Sequence, residues 1–192
     1  LIFSAIFMPL WIRKARQIGL VWKNMNQYGN PQNLIGSGGI IVLMAFIIGV
    51  LSYVAIKTFV LKADVTTVEI FALLTMIIMA SVIGFVDDLF SWAHGGGGLS
   101  ALLRVFLMFM TAIPLMVINA GHSTIQFPFF GNVDLAILYP LILIPVAVVG
   151  AGTTFNFLAG MNGLEAGQGI IILSFLSCIA YLTGSSWLAL IG

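Results

Sequence analysis

The stretch Val68-Glu-Ile-Phe-Ala-Leu-Leu-Thr-Met-Ile-Ile-Met-Ala-Ser-Val-Ile-Gly-Phe-Val86, followed at once by Asp87-Asp88, decides the fold. Before the acidic pair, Glu69 is its sole charge. Wound as a helix, about 20 apolar residues at roughly 1.5 Å each cross the hydrocarbon layer of a bilayer. Inside lipid the backbone must satisfy its own hydrogen bonds, which leaves a helix as the economical form.

The rest of the chain repeats this pattern. It is 61% hydrophobic and 7% charged, with 15 Phe in 192 residues and a mean hydropathy of +1.17. These values predict an all-α, polytopic transmembrane helix bundle in one integral membrane domain, residues 1–192. Leu1 to Ile12 reads as the tail of a first span, closed by Arg13-Lys14-Ala-Arg16. A polar loop rich in Gly and Asn runs from about Gln17 to Gly39. Further spans are expected at Ile40–Ile56, Val68–Val86, Ser100–Ala120, Leu135–Phe155 and Gln168–Gly184, with a seventh starting at Trp187. The segment Gly121–Asp134 reads as extended or hairpin. The chain begins without Met and stops inside an apolar run, so a fragment lacking C-terminal spans is expected.

The net charge of +1 says nothing about nucleic acid, but no basic stripe is present and no nucleic-acid partner is expected. Cys178 lies alone in an apolar run and reads as a small core hydrophobe. With the spans alternating, Arg13, Lys14, Arg16, Lys23 and Arg104 fall on one side of the membrane, and Lys57 and Lys62 on the other. Basic residues favour the cytosolic side. The loops at 17–39, 89–99 and 156–167 therefore share a cytosolic face.

The last of those loops and the span end just before the second hold three of the chain's six carboxylates: Glu165, and Asp87 with Asp88. Adjacent acids at a helix C-terminus oppose the helix dipole and repel each other. Such a pair suits a divalent metal or a proton acceptor; it equally suits a helix ending in a solvated loop, or an acid on an ion pathway. In Asn156-Phe-Leu-Ala-Gly-Met-Asn162-Gly-Leu-Glu165-Ala-Gly-Gln168, a turn broken by glycine can aim Asn156, Asn162 and Glu165 into one cavity. Amides both donate and accept, as a nucleobase edge or a metal-bound phosphate requires. An ordinary Asn/Gly turn between spans is the competing reading. Arg104, just inside a span, either snorkels or holds a phosphate. His94 and His122 have no visible ligand partners, and Gly95–Gly98 lacks the Lys-Ser/Thr of a P-loop.

With Gly84-Phe-Val-Asp87-Asp88 and the run from Asn156 to Gln168, the chain resembles the polyprenyl-phosphate N-acetylhexosamine-1-phosphate transferase family. The Gly-Leu-Glu165-Ala-Gly-Gln168 ending is similar to its eukaryotic and archaeal branch acting on UDP-GlcNAc and dolichyl phosphate. The resemblance continues through Ala120–Gln126 and Val133–Tyr139. It implies attack of dolichyl (polyprenyl) phosphate on the β-phosphorus of UDP-GlcNAc, giving GlcNAc-diphosphodolichol and UMP. This is the first step of lipid-linked oligosaccharide synthesis, and it uses Mg²⁺ or Mn²⁺. Carried over by position, Asp87 and Asp88 stand near the lipid phosphate and the metal. Asn156 ligates the metal with Asp88, Asn162 reads uracil, and Glu165 belongs with the substrate-binding set. Arg104, ten residues before Pro114, replaces the family's phosphate-binding Lys.

The sequence also departs from the family. In the stretch Lys23–Gly39, Asn24, Gln27 and Gly36 replace an expected acid, Lys and Glu, and the poly-Gly loop is longer than usual. The chain stops before the family's Phe-X-Gly-Asp segment and distal basic loop, so by itself it is expected to be inactive. Competing expectations are a bacterial-type undecaprenyl-phosphate transferase, a non-catalytic homologue and a membrane transporter. The terse loops point to a prokaryotic, archaeal cell membrane rather than the endoplasmic reticulum, and a homodimer is among the expected assemblies.

Overall fold

The computed structural model describes residues 2–23, 33–62, 67–94, 97–127, 131–157 and 164–191. Helix α1 (Ile2–Gln17) carries Lys14 and Arg16 in its last turn, where cations complement the helix dipole. Strands β1 (Val21–Lys23) and β2 (Asn33–Ile35) pair antiparallel with Val21 opposite Ile35. This small hairpin lies where the sequence reads as a polar loop. Helix α2 (Gly39–Ala55) runs on through a π-turn at Ile56–Val60. There Lys57 Nζ lies 5.6 Å from the centre of the Tyr53 ring, a cation–π contact.

Helix α3 (Thr67–Ala93) differs from expectation at its end. Asp87-Asp88 does not stop it; the helix continues through Leu89, Phe90 and Trp92. Two contacts account for this. Asp87 is neutralised by Arg104, and Trp92 Nε1 donates to Gly19 O at 2.9 Å, tying the last turn to the end of α1. The fourth span is two helices, α4 (Ala101–Thr111) and α5 (Ile113–Ile118). Pro114 stands at the start of α5, where its missing N–H costs nothing. Ser100 caps α4, its hydroxyl accepting from Leu103 N at 3.4 Å.

Strands β3 (Thr124–Phe127) and β4 (Gly131–Asp134) form the expected hairpin, with Thr124 opposite Asp134. The fifth span enters through a π-turn, Tyr139–Leu143, containing Pro140, and continues as α6 (Ile144–Phe157). Helix α7 (Leu164–Leu182) starts earlier than the expected Gln168, and α8 (Ser186–Ile191) follows.

Among the described residues, four helices are long and apolar enough to cross a membrane: Gly39–Val60, Thr67–Ala93, Ala101–Ile118 and Leu164–Leu182. Tyr139–Phe155 is a shorter apolar helix. The small buried core centres on Val50, Ile70 and Leu74, with Phe46, Tyr53, Ile78 and Trp187 packed around it. Large apolar side chains such as Phe59 and Leu102 face outward, at 79% and 86% exposure. That inversion is stable only when the solvent is lipid.

Candidate active site

The C-terminal turns of α3, the N-terminal turn of α4 and the first loop meet at one end of the bundle. Trp11 Nε1 donates to Gly36 O at 3.4 Å, which seats the Gly36–Gly39 segment against α1. The segment turns at Ser37, a buried residue with φ of 55°. A left-handed backbone costs a non-glycine residue about 1–2 kcal/mol. Glycine, which adopts it freely, stands on both sides of Ser37 but not at that position. The Ser37 hydroxyl donates to Asp88 Oδ2 at 3.1 Å.

Asp87 is held differently. Arg104 Nη2 lies 2.9 Å from its Oδ2 and 3.0 Å from its Oδ1. The backbone N–H of Leu99 donates to Oδ1 at 2.6 Å. For that amide to arrive, Gly98 must pass so close that an added Cβ would sit 2.3 Å from Oδ1. The glycine run therefore lets the backbone clasp a carboxylate, not a phosphate. Both oxygens of Asp87 are engaged. Asp88 has, among the described residues, Ser37 as its hydrogen-bond partner and keeps Oδ1 open.

A cavity of about 210 Å³ opens between α3, α4 and α6, lined by Ala80, Ile83, Gly84, Asp87, Asp88, Arg104, Met108, Gly152 and Thr153. Gly152 lets α6 approach α4: an added Cβ would meet Met108 Cε at 2.3 Å. Arg104 Nε is buried beside this cavity without a hydrogen-bond partner among the described residues. An unpaired buried donor of this kind favours an incoming acceptor. A second groove, about 300 Å³, lies on the α2 side of Asp88 and includes Ser37, Leu43, Ser81 and Phe85. Another groove, about 490 Å³, is lined by Ile113, Met116, His122, Ile137 and Pro140. It lies at the opposite end of the fourth span and has no acid in its wall.

Of the residues singled out in the sequence, the structure brings Asp87, Asp88 and Arg104 together. Asn156 lies in the last turn of α6, three residues beyond the cavity-lining Thr153. Glu165 is exposed in the first turn of α7 and is not among the lining residues. Asn162, like Asn24 and Gln27, lies outside the described residues. Ser37, Gly98 and the Leu99 amide are additions that sequence reasoning missed; a serine set among glycines was the available signal for the first.

Among the described residues, no three His, Cys, Asp or Glu side chains converge as a metal cage. One open carboxylate oxygen beside a hydroxyl fits a hard cation that takes few protein ligands and completes its shell with water and substrate phosphate. The donor set is therefore compatible with a divalent metal shared with substrate.

A polytopic helical bundle with an acidic pair and a cation at one membrane end defines a class that the comparisons narrow. The chain belongs to glycosyl transferase family 4, whose model matches residues 70–192. A relative from Saccharolobus solfataricus, provisionally named UDP-N-acetylglucosamine–dolichyl-phosphate N-acetylglucosaminephosphotransferase, is 32% identical over 179 residues. That alignment covers 92% of this chain and 51% of the relative. The Dictyostelium discoideum protein of the same name is 28% identical, over 81% of this chain and 40% of its own. A phospho-N-acetylmuramoyl-pentapeptide-transferase from Wolbachia pipientis wMel is 27% identical, over 95% and 56%. The chain thus spans about half the length of the curated relatives it matches.

Proposed function

We propose that the protein to which this chain contributes transfers GlcNAc-1-phosphate from UDP-GlcNAc to dolichyl (polyprenyl) phosphate, giving GlcNAc-diphosphodolichol and UMP. The observation carrying this reading is the pair of neighbouring acids in the wall of one cavity at the membrane end: Arg104 and Leu99 engage both oxygens of Asp87, while Asp88 has Ser37 as its partner among the described residues. The relatives' names supply the substrates.

Phosphoryl transfer requires positioned, charge-neutralised oxygens more than covalent help from the protein. Asp88, with Asn156 from the end of α6, would hold a divalent cation, Mg²⁺ or Mn²⁺. When bound, that cation neutralises phosphate oxygens and polarises phosphorus. Arg104, whose Nε has no partner among the described residues, would offer that N–H to a phosphate oxygen while Nη2 keeps Asp87 in place. Asn162 would read the uracil edge, and Glu165 would stand on the donor side. A prenyl tail in hydrocarbon with its phosphate at the aqueous edge explains why the chemistry belongs at a span end. The distribution of basic residues supports a cytosolic face, and the terse loops support an archaeal cell membrane.

A second reading, a bacterial-type undecaprenyl-phosphate transferase, is favoured by the likeness to the Wolbachia protein. Supplying the whole protein in membranes with each pairing of donor and acceptor lipid separates the two. Product with UDP-GlcNAc and dolichyl phosphate supports the first. Product restricted to UDP-N-acetylmuramoyl-pentapeptide and undecaprenyl phosphate supports the second, and product with neither pair removes both.

A further inference from the structure

We infer that Ser37 is a positioning residue for Asp88, fixing which carboxylate oxygen is offered to the cavity; the inference deepens the transferase reading above and rests on it. Three observations converge. Ser37 Oγ donates to Asp88 Oδ2 across 51 residues of sequence, at 3.1 Å. Ser37 is buried, 9% exposed, so water does not compete freely for that hydroxyl. Its backbone has φ of 55°, in a segment whose neighbours Gly36, Gly38 and Gly39 would take that conformation without strain.

A chain that needed only the turn would carry glycine at position 37. Serine there sustains strain and gains one group, the hydroxyl, which is spent on Asp88. Strained residues held by their surroundings mark places where geometry serves function. With Oδ2 occupied, the carboxylate is locked in rotation and Oδ1 is the oxygen left for a ligand. Arg104 and Leu99 lock Asp87 from the other side, so Ser37 gives the second acid its own orientation, independent of the first.

The test uses the whole protein in detergent or membranes, with the variants Ser37→Gly and Ser37→Ala. Glycine relieves the backbone and removes the hydroxyl; alanine removes the hydroxyl alone. Losing a hydrogen bond to a charged group corresponds to about a tenfold loss in a rate or binding constant. Positioning predicts that both variants lose about tenfold in kcat, with KM for the sugar nucleotide within about twofold, while Tm stays level or rises in Ser37→Gly. Mn²⁺ binding, followed by electron paramagnetic resonance without lipid acceptor, should weaken by a similar factor in both. Wild-type kcat and Mn²⁺ affinity in Ser37→Gly overturn the inference, as does a loss in Ser37→Ala that Ser37→Gly restores. Absence of transfer by the wild type would instead remove the proposed reaction, leaving the Mn²⁺ comparison to decide on Ser37.

Discussion

Arg104 Nη2 sits 2.9 Å from Oδ2 and 3.0 Å from Oδ1 of Asp87, a single nitrogen bridging a whole carboxylate. The adjacent acid, Asp88, is left to a serine. Two chemically identical side chains, consecutive in sequence, thereby receive different work. Asp87 ties α3 to α4 and to the loop between them; Asp88 faces the cavity with an oxygen to spare.

Because one nitrogen makes both contacts, the ammonium of a lysine can replace it geometrically. Arg104→Lys should keep the fold, and it removes a buried Nε that has no partner among the described residues. Arg104→Ala leaves a part-buried carboxylate without its cation and should lower stability by about 1–3 kcal/mol. Thermal unfolding in detergent compares the two. No destabilisation by Arg104→Ala would show that the pair does not hold the helices together, and a loss with Arg104→Lys as large as with Arg104→Ala would show that lysine cannot replace it.

Gly98→Ala would force a methyl group against Asp87 Oδ1 at 2.3 Å and its backbone oxygen at 3.0 Å. Overpacking of this kind costs about 1–3 kcal/mol. Gly150→Ala, in a helix with open space around the position, is the matched control and should gain up to about 1 kcal/mol. A loss with Gly98→Ala no greater than with the control would contradict the clasp.

The hairpin β3–β4 carries a pH dependence. Asp134 Oδ1 accepts from Ala136 N at 2.9 Å, and this bond, then one with Ser123, holds its carboxyl below the usual carboxylate range. A lowered folded value means the contribution is fully present above about pH 4, the unfolded value, and is lost as pH falls through the folded one. The protection of the Ala136 amide relative to its intrinsic exchange rate should fall in that acid window and stay level across it in Asp134→Asn. Identical profiles for the two proteins would rule out the capping role.

How far these features were legible in the sequence follows from what leaves a compositional trace. Lipid enforces length and polarity on a spanning helix, so the order of the spans is written plainly in runs such as Val68–Val86. The end of α3 was misread because Asp87-Asp88 resembles a stop; the pairing that carries the helix to Ala93 comes from Arg104, a long-range partner. Strands β1 and β2 are three residues each, too short to show alternation. Asp87, Asp88 and Arg104 stood out because charge is scarce in this chain. Ser37 and the Leu99 amide did not, since a hydroxyl and a backbone N–H are common everywhere and gain meaning only from where they are placed.

If Asp88 is the chemically active acid of the pair and Asp87 the structural one, substituting Asp88 removes transfer without loosening the fold. Metal-dependent UMP release from UDP-GlcNAc with dolichyl phosphate, measured for the whole protein and its Asp88→Asn variant alongside Tm, tests it most directly. The expected result is release by the wild type, a fall of at least about hundredfold in Asp88→Asn, and an unchanged Tm. Undiminished release by Asp88→Asn, or none by the wild type, would contradict it.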